Sequence, residues 1–476
     1  MRICFSWPLA WLAIASTLSA APEHPTELPK VRVLFAGGKG DPAVRHFTQP
    51  KGEIQSAAVY GEGIPEAFAK SFGFRLENRF VDAADPLPGI DAIFVSPPTA
   101  AKRGRILLEE TARELTSRGL DVVVHPTCAE WIADALYPTA RIVTGSAAAT
   151  AQPMPGKLTI CIPDGSALHF RGSEITAIGH APVRFLLATS ARRKAKTVSL
   201  KHFASHDYIL LARAVRERAK GSPNPPAKTA NPELKNGALV LAGGNKSPRS
   251  ALEWMLQRAG GPERARLVII PTARPESKLK LDQVFETFRG IGFRKISIAH
   301  SRRDVGNETS ASRQIDSANA IWITGGRQWR LVDAFENGPA LGAMHRLLER
   351  GGVIGGSSAG ATICGEYLVR GDPRAGNIFS AEGYERAFNF LPGVAIDQHF
   401  TERDRAEDLE KFITNHPQFT GIGIDETTAI IVEGSSFFVR GLGGVTVTTG
   451  DESGNVESVR LKAHESYDFA VSKSPD

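Results

Sequence analysis

Short apolar runs that end in glycine recur along this chain of 476 residues. Residues 31–38 and 238–244 are two of them, and further apolar strand-like runs at residues 267–271, 296–299, 321–326 and 353–356 alternate with helix-like segments. Strands this short, separated by amphipathic helical segments, bury themselves in a parallel sheet with helices on both faces. An α/β fold is therefore expected. In such sheets ligands gather at the carboxyl ends of the strands, which is where the glycine-rich turns fall.

The length exceeds what one hydrophobic core usually serves, so two domains are expected. A stretch rich in Pro and Asn at residues 221–232 divides them, giving a first domain at 30–216, a linker at 217–236 and a second domain at 237–476. The two parts resemble each other. Ile160-Cys161-Ile162 aligns on Ile422-Gly423-Ile424 and continues without a gap through Ala167 on Ala429, Gly172 on Gly434 and Val183 on Val445. After one skipped residue, Leu200-Lys201 falls on Leu461-Lys462 and Asp207 on Asp468. Duplication, with two similar domains in tandem, is the simplest account. Looser likenesses earlier in each part set Ala92-Ile93-Phe94-Val95 beside Ala320-Ile321-Trp322-Ile323, and Cys128 opposite Ser358.

Residues 1–20 read as a secretory signal peptide: Arg2, an apolar run from Trp7 to Leu18, then Ser19, Ala20 and Ala21 ahead of Pro22. Export to a periplasmic or extracellular space is expected. No membrane span is, because no later segment offers the ~18 consecutive apolar residues that spanning needs. Hydrophobic content of 42% with 23% charged residues excludes extensive disorder. The basic run Arg192-Arg193-Lys194-Ala195-Lys196 lacks interleaved aromatics, so no nucleic-acid partner is expected. Beyond Cys4, the cysteines Cys128, Cys161 and Cys364 are odd in number and lack Cys/His ligand spacing, which supports neither a disulfide framework nor a metal site.

The chemistry centres on Gly356-Ser357-Ser358-Ala359-Gly360. This string follows the apolar residues 352–355 and precedes a helix-like run, so it reads as strand, sharp turn and helix with Ser358 at the tip. Free N–H groups at the helix N-terminus beside Ser358 can hold an oxyanion. A serine nucleophile needs a base, and the base needs an orienting group. Three histidines follow Ser358 in the chain: His399, His416 and His464. His399 closes an apolar strand at its carboxyl end, where a site belongs, whereas His416 precedes Pro417 in a loop. Asp425 and Glu426 close residues 421–424 in the same way. Such a set needs no metal or organic cofactor.

Gly355-Gly356-Ser357-Ser358-Ala359-Gly360-Ala361, Asp397-Gln398-His399-Phe400 and Gly421-Ile422-Gly423-Ile424-Asp425-Glu426 resemble, in this order, the signature blocks of the cyanophycinase and dipeptidase E family of serine peptidases. Thr324-Gly325-Gly326-Arg327-Gln328 with Leu331 is similar to that family's glycine-glycine-x-glutamine turn. The resemblance implies a flavodoxin-like fold, akin to class I glutamine amidotransferases. It makes Ser358 the nucleophile, His399 the general base and then acid, and Glu426 the orienting carboxylate. The backbone N–H groups of Ala359 and Gly326 become the oxyanion hole, and Gln328, Asp397, Arg403 and Arg405 become substrate contacts. Family members cleave amide bonds next to aspartyl residues, in aspartyl dipeptides or in a polyaspartate backbone bearing arginines. A peptide or an aspartyl/arginyl polymer is the expected partner, and a homodimer is left open. Where cyanophycinases carry a third arginine and a leucine, this chain has Asp408 and Leu409, which favours the peptidase chemistry over the cyanophycin specificity.

The first part reads as catalytically incomplete. No histidine lies between Cys128 and Ile160, the segment equivalent to Asp397-Gln398-His399 is expected to be missing, and Asp164 falls opposite Glu426. Cys128 with His125 is a second nucleophile candidate, set against a buried structural thiol. A non-catalytic copy that caps, dimerises or positions substrate is expected. Two rivals stand beside the peptidase: an α/β-hydrolase esterase using Ser358, Asp425 and His464, and a binding protein that keeps the fold without the reaction.

Overall fold

The computed structural model describes residues 129–471, apart from 224–226, 229, 276–277, 280 and 301–304, together with five earlier strands. The expected leader, His125 and Cys128 lie outside the described residues. The N-terminal strands are β1 (Arg32–Ala36), β2 (Ala57–Tyr60), β3 (Leu76–Phe80), β4 (Ala92–Val95), β5 (Asp121–Val124), β6 (Ala140–Thr144), β7 (Leu158–Ile162), β8 (Ser166–Arg171), β9 (Glu174–Gly179), β10 (Val183–Leu187), β11 (Lys196–Leu200) and β12 (Ser205–Asp207). The C-terminal strands are β13 (Leu234–Ala242), β14 (Arg266–Ile270), β15 (Lys295–Ile298), β16 (Ala320–Ile323), β17 (Val353–Ser357), β18 (Val394–Gln398), β19 (Thr420–Ile424), β20 (Thr428–Gly434), β21 (Ser436–Gly441), β22 (Val445–Gly450), β23 (Val456–Leu461) and β24 (Ser466–Asp468).

These strands build four sheets. One eight-stranded sheet runs β12-β9-β8-β1-β5-β4-β2-β3 and the other β24-β21-β20-β13-β17-β16-β14-β15. The four-stranded sheets run β11-β10-β7-β6 and β23-β22-β19-β18. The second set has the strand order of the first, with every strand replaced by the one twelve places later. The matched sequence pairs fall on or directly beside equivalent strands, and register agrees: Ala36 pairs with Ala167 as Ala242 pairs with Ala429.

In the C-terminal sheet, β15, β14, β16, β17 and β13 are parallel neighbours. The expected parallel sheet is nevertheless mixed, because β20, β21 and β24 extend it antiparallel. Gly434 and Ser435 form the turn between β20 and β21, and so short a link leaves no room for the crossover a parallel pair requires. Helices do cover both faces. Alternate residues of β13 enter different apolar clusters, Leu239 and Leu241 on one side, Ala238, Val240 and Ala242 on the other. Met344 and Leu347 from helix Pro339–Glu349 join the first cluster, while Leu252 and Met255 from helix Arg249–Arg258 join the second. This two-sided burial is why the inner parallel strands β14 and β16 are almost wholly apolar, whereas the edge strand β15 carries Lys295 and Ser297. Among the described residues no helix is long and apolar enough to cross a membrane.

The expectation of a missing segment in the first part is corrected here. Strand β6 pairs parallel with β7 as β18 pairs with β19, and it places Val143 opposite Cys161 where Asp397 lies opposite Gly423. Val143, Thr144 and Gly145 thus stand at the positions of Asp397, Gln398 and His399. The strand is present but carries none of the polar side chains that would mark it. What is short is its approach: residues 137–139 lead from helix Ala129–Leu136 to β6, whereas residues 363–393 lead from helix Ala359–Thr362 to β18.

Candidate active site

Strand β17 ends at Ser357 and a helix begins at Ala359, leaving Ser358 at a turn with φ 54° and ψ −116°. Backbone of this kind is uncommon outside glycine and costs about 1–3 kcal/mol. Close packing holds it in place. A Cβ at Gly356 would lie 2.1 Å from the Gly360 carbonyl oxygen, and one at Gly360 would lie 2.1 Å from that of Ile323. The Ser358 N–H donates to the Ala242 carbonyl at 2.9 Å, and the Ser358 carbonyl accepts from Ala361 and Thr362.

His399 and Glu426 arrive from the smaller sheet, just beyond β18 and β19. The His399 N–H donates to the Gly243 carbonyl at 2.9 Å, and its ring packs on Gly244, where a Cβ would come within 2.1 Å of Cε1. Nε2 lies 2.9 Å from Ser358 Oγ, and Nδ1 lies 2.6 Å from Glu426 Oε1. With a carboxylate as acceptor, Nδ1 carries the proton, so Nε2 offers its lone pair to the serine hydroxyl. Gln398 Oε1 is a second, longer acceptor for that hydroxyl at 3.3 Å. Burial pushes the His399 pKa below its ordinary value near 6.5, with help from the Arg403 and Arg405 charges, although Glu426 pulls the other way. His399 is therefore neutral at neutral pH and able to take a proton.

The turn after β16 closes against the serine. A Cβ at Gly325 would lie 3.1 Å from Ser358 Cβ, and one at Gly326 would lie 2.2 Å from the Ala273 carbonyl oxygen. Ala359, as the first helical residue, has an N–H without an intrahelical acceptor, and no side chain caps it. A cavity of about 950 Å³ opens over Ser358, His399, Gly325 and Gly326. Lys246, Arg249, Arg274 and Arg403 stand on its wall, and among the described residues Glu286 is the acidic group beside them.

Of the expected substrate contacts, Arg403 lines this cavity and three others do not. Asp397 is wholly buried. Arg370 donates to both its oxygens through Nε at 3.0 Å, Arg370 Nη2 reaches Oδ2 at 2.9 Å, and Arg405 Nη1 reaches Oδ1 at 2.7 Å. Arg405, itself 4% exposed, also donates to the Gln398 carbonyl. A buried carboxylate needs such compensation. The expectation for Asp397 and Arg405 is thus corrected to an internal role, bracing the corner that carries Gln398 and His399. Gln328 is buried at the start of helix Gln328–Phe335 and is likewise absent from the cavity wall. Asp408 completes the brace by pairing with Arg370 at 2.9 Å.

Asp425 accepts from Thr401 Oγ1 at 2.7 Å and from the Gly444 N–H at 2.9 Å, and it pairs with Arg460. His464 is exposed beside Arg440. Ser358 therefore meets His399 and Glu426 rather than the pair an esterase order requires.

Residues 238–440 match the profile of peptidase family S51. A cyanophycinase of Geminocystis herdmanii is 30% identical over 229 residues, spanning 46% of this chain and 82% of that protein. The chain belongs to peptidase family S51. A cyanophycinase of Synechococcus elongatus is 31% identical over 253 residues, 51% of this chain and 78% of that protein. Another, from Trichormus variabilis, is 28% identical over 270 residues, 54% and 89% of the two chains. This S51 peptidase is a serine-type hydrolase. The family match starts within β13, so the N-terminal sheets lie outside it.

Several residues of the S51 site escaped the sequence reading. Gly244 had a visible signal in the Gly243-Gly244 pair that follows β13. Arg370, Lys246 and Arg274 had none, being single cations in turns whose partners are set only by the fold.

Proposed function

We propose that this S51 peptidase is an exported, cyanophycinase-like enzyme that hydrolyses amide bonds next to aspartyl residues through Ser358, His399 and Glu426. The observation that carries the reading is the unbroken line from Glu426 through His399 to Ser358, at 2.6 and 2.9 Å, opening on a cation-lined cavity. Ser358 Oγ attacks the scissile carbonyl carbon while its proton passes to His399 Nε2. Glu426 stabilises the resulting imidazolium, and the N–H groups of Ala359 and Gly326 receive the oxyanion. Collapse expels the amine, which takes its proton from His399. Water, deprotonated by His399, then releases the acyl group and restores Ser358.

The cations Lys246, Arg249, Arg274 and Arg403 favour a substrate that carries carboxylates, as an aspartyl dipeptide or a β-aspartyl-arginine polymer does. Glu286 is the described acidic group that a substrate guanidinium would meet on the same wall. The repeated strand order supports reading residues 30–216 and 237–476 as flavodoxin-like domains in tandem, joined by 217–236, with the first non-catalytic. Export rests on residues 1–20, and a homodimer fits the reading without being required by it.

The test compares wild type with Ser358→Ala on an aspartyl dipeptide, β-aspartyl-arginine polymer and a simple ester. Hydrolysis of an aspartyl amide by wild type alone is expected. Ester turnover without amide turnover would put an esterase in its place, and no turnover at all would favour a binding protein.

A further inference from the structure

Residues 363–393, for which the N-terminal part has only 137–139, lie between the active-site turn and that part. The far end of this stretch is gripped by helix Tyr208–Ala219 and its surroundings. Arg213 Nε donates to the Gly383 carbonyl at 2.7 Å, and its guanidinium sits 4.4 Å over the Tyr384 ring. Arg193 reaches Glu385 at 2.9 Å and Arg218 reaches Glu382 at 2.7 Å. All three arginines are buried.

A second line of contacts runs towards the catalytic serine. Arg374 Nη1 lies 2.9 Å from His206 Nε2. Since a guanidinium only donates, Nε2 is the acceptor, and the proton belongs on Nδ1, which lies 3.1 Å from the Asp207 carbonyl. Arg374 in turn donates to Asp372 through Nε at 3.0 Å, Nη2 at 2.6 Å and its backbone N–H at 2.8 Å. Asp372 is wholly buried, and its carbonyl accepts from Arg327 Nη2 at 2.5 Å. Arg327 follows Gly326 directly, and its N–H donates at 2.9 Å to the Ala273 carbonyl, against which Gly326 is packed.

We propose that His206 and Arg374 are positioning residues, through which the N-terminal part acts as a built-in support that fixes the Gly325-Gly326-Arg327 turn from outside. The catalytic consequence rests on the reading of Gly326 as an oxyanion donor. Asp372 takes Nε and Nη2 of Arg374 and leaves Nη1 on the side that faces His206. The His206 lone pair supplies the second contact that fixes its orientation. The buried Asp372 then transmits that position, its carboxylate taking Arg374 and its main-chain carbonyl taking Arg327, the residue next to Gly326. A donor that must meet an oxyanion tolerates little displacement, which is why so distant a contact matters.

The test uses the full chain. His206→Met removes the acceptor at similar volume, Arg374→Met cuts the next link, and His206→Gln returns an acceptor near the place of Nε2. Both Met variants should exchange the amides of residues 324–328 faster by about threefold or more, with residues 239–242 unchanged. On a substrate turned over by wild type, kcat should fall by about tenfold or more with KM within about twofold. The Gln variant should stay close to wild type, and the double Met variant should lose no more than either single one. Wild-type exchange and kcat in both Met variants would overturn the proposal. If wild type turns over no substrate, the serine peptidase reading fails, and exchange at residues 324–328 still decides this one.

Discussion

Ser358→Ala is expected to lower kcat by roughly 10⁶-fold, and His399→Ala by a similar factor. The reason is geometric. Ser358 Oγ has His399 Nε2 as its nearer partner at 2.9 Å, so nucleophile and base form one device, and removing either disables both. The double variant should therefore be no slower than the single ones. A residual acceleration of roughly 10³–10⁴ over the uncatalysed reaction is expected from the N–H donors at Ala359 and Gly326, which neither substitution touches. Steady-state kinetics on the preferred substrate checks this. Losses that multiply in the double variant would mean that Ser358 and His399 act in separate steps.

Glu426→Gln should lower kcat by roughly 10⁴-fold with little change in KM. An amide can present N–H to Nδ1 and so favour the tautomer that turns a proton, and not a lone pair, towards Ser358. The pH dependence gives an independent sign. In wild type, burial and the Arg403 and Arg405 charges hold His399 below its ordinary value near 6.5. The rate should be full above that value and fall as pH drops through a midpoint beneath it. Glu426 raises the His399 pKa, so its loss moves the midpoint to still lower pH. A wild-type midpoint above 6.5, or an upward shift in the variant, would contradict this assignment of the base.

Much of the site was legible because its backbone is written locally. Gly356 and Gly360 are demanded because a Cβ at either would lie 2.1 Å from a carbonyl oxygen within or beside the turn, and the apolar runs before His399 and Glu426 mark strand ends. The charged residues near the site read differently once their partners were in place. Asp397 and Arg405 carry the charges expected of substrate contacts, but Arg370 lies far enough along the chain that nothing local announces it will bind Asp397. Asp408 looked like a lost cation and turns out to face Arg370. The mixed sheet was hidden for a similar reason, since apolar runs do not say which neighbour they take, and the Gly434-Ser435 turn decides it. In the N-terminal part β6 went unnoticed because Val143, Thr144 and Gly145 carry no mark of the strand end they occupy.

A fluorophosphonate probe at neutral pH, with the adduct mapped by mass spectrometry, tests the central claim most directly. Covalent capture needs an exposed serine made nucleophilic by its base, and it needs no knowledge of the substrate. Wild type should carry one adduct, on Ser358, lost in Ser358→Ala and formed far more slowly in His399→Ala. An unlabelled wild type, or an adduct that persists in Ser358→Ala, would contradict the assignment of Ser358 as the nucleophile.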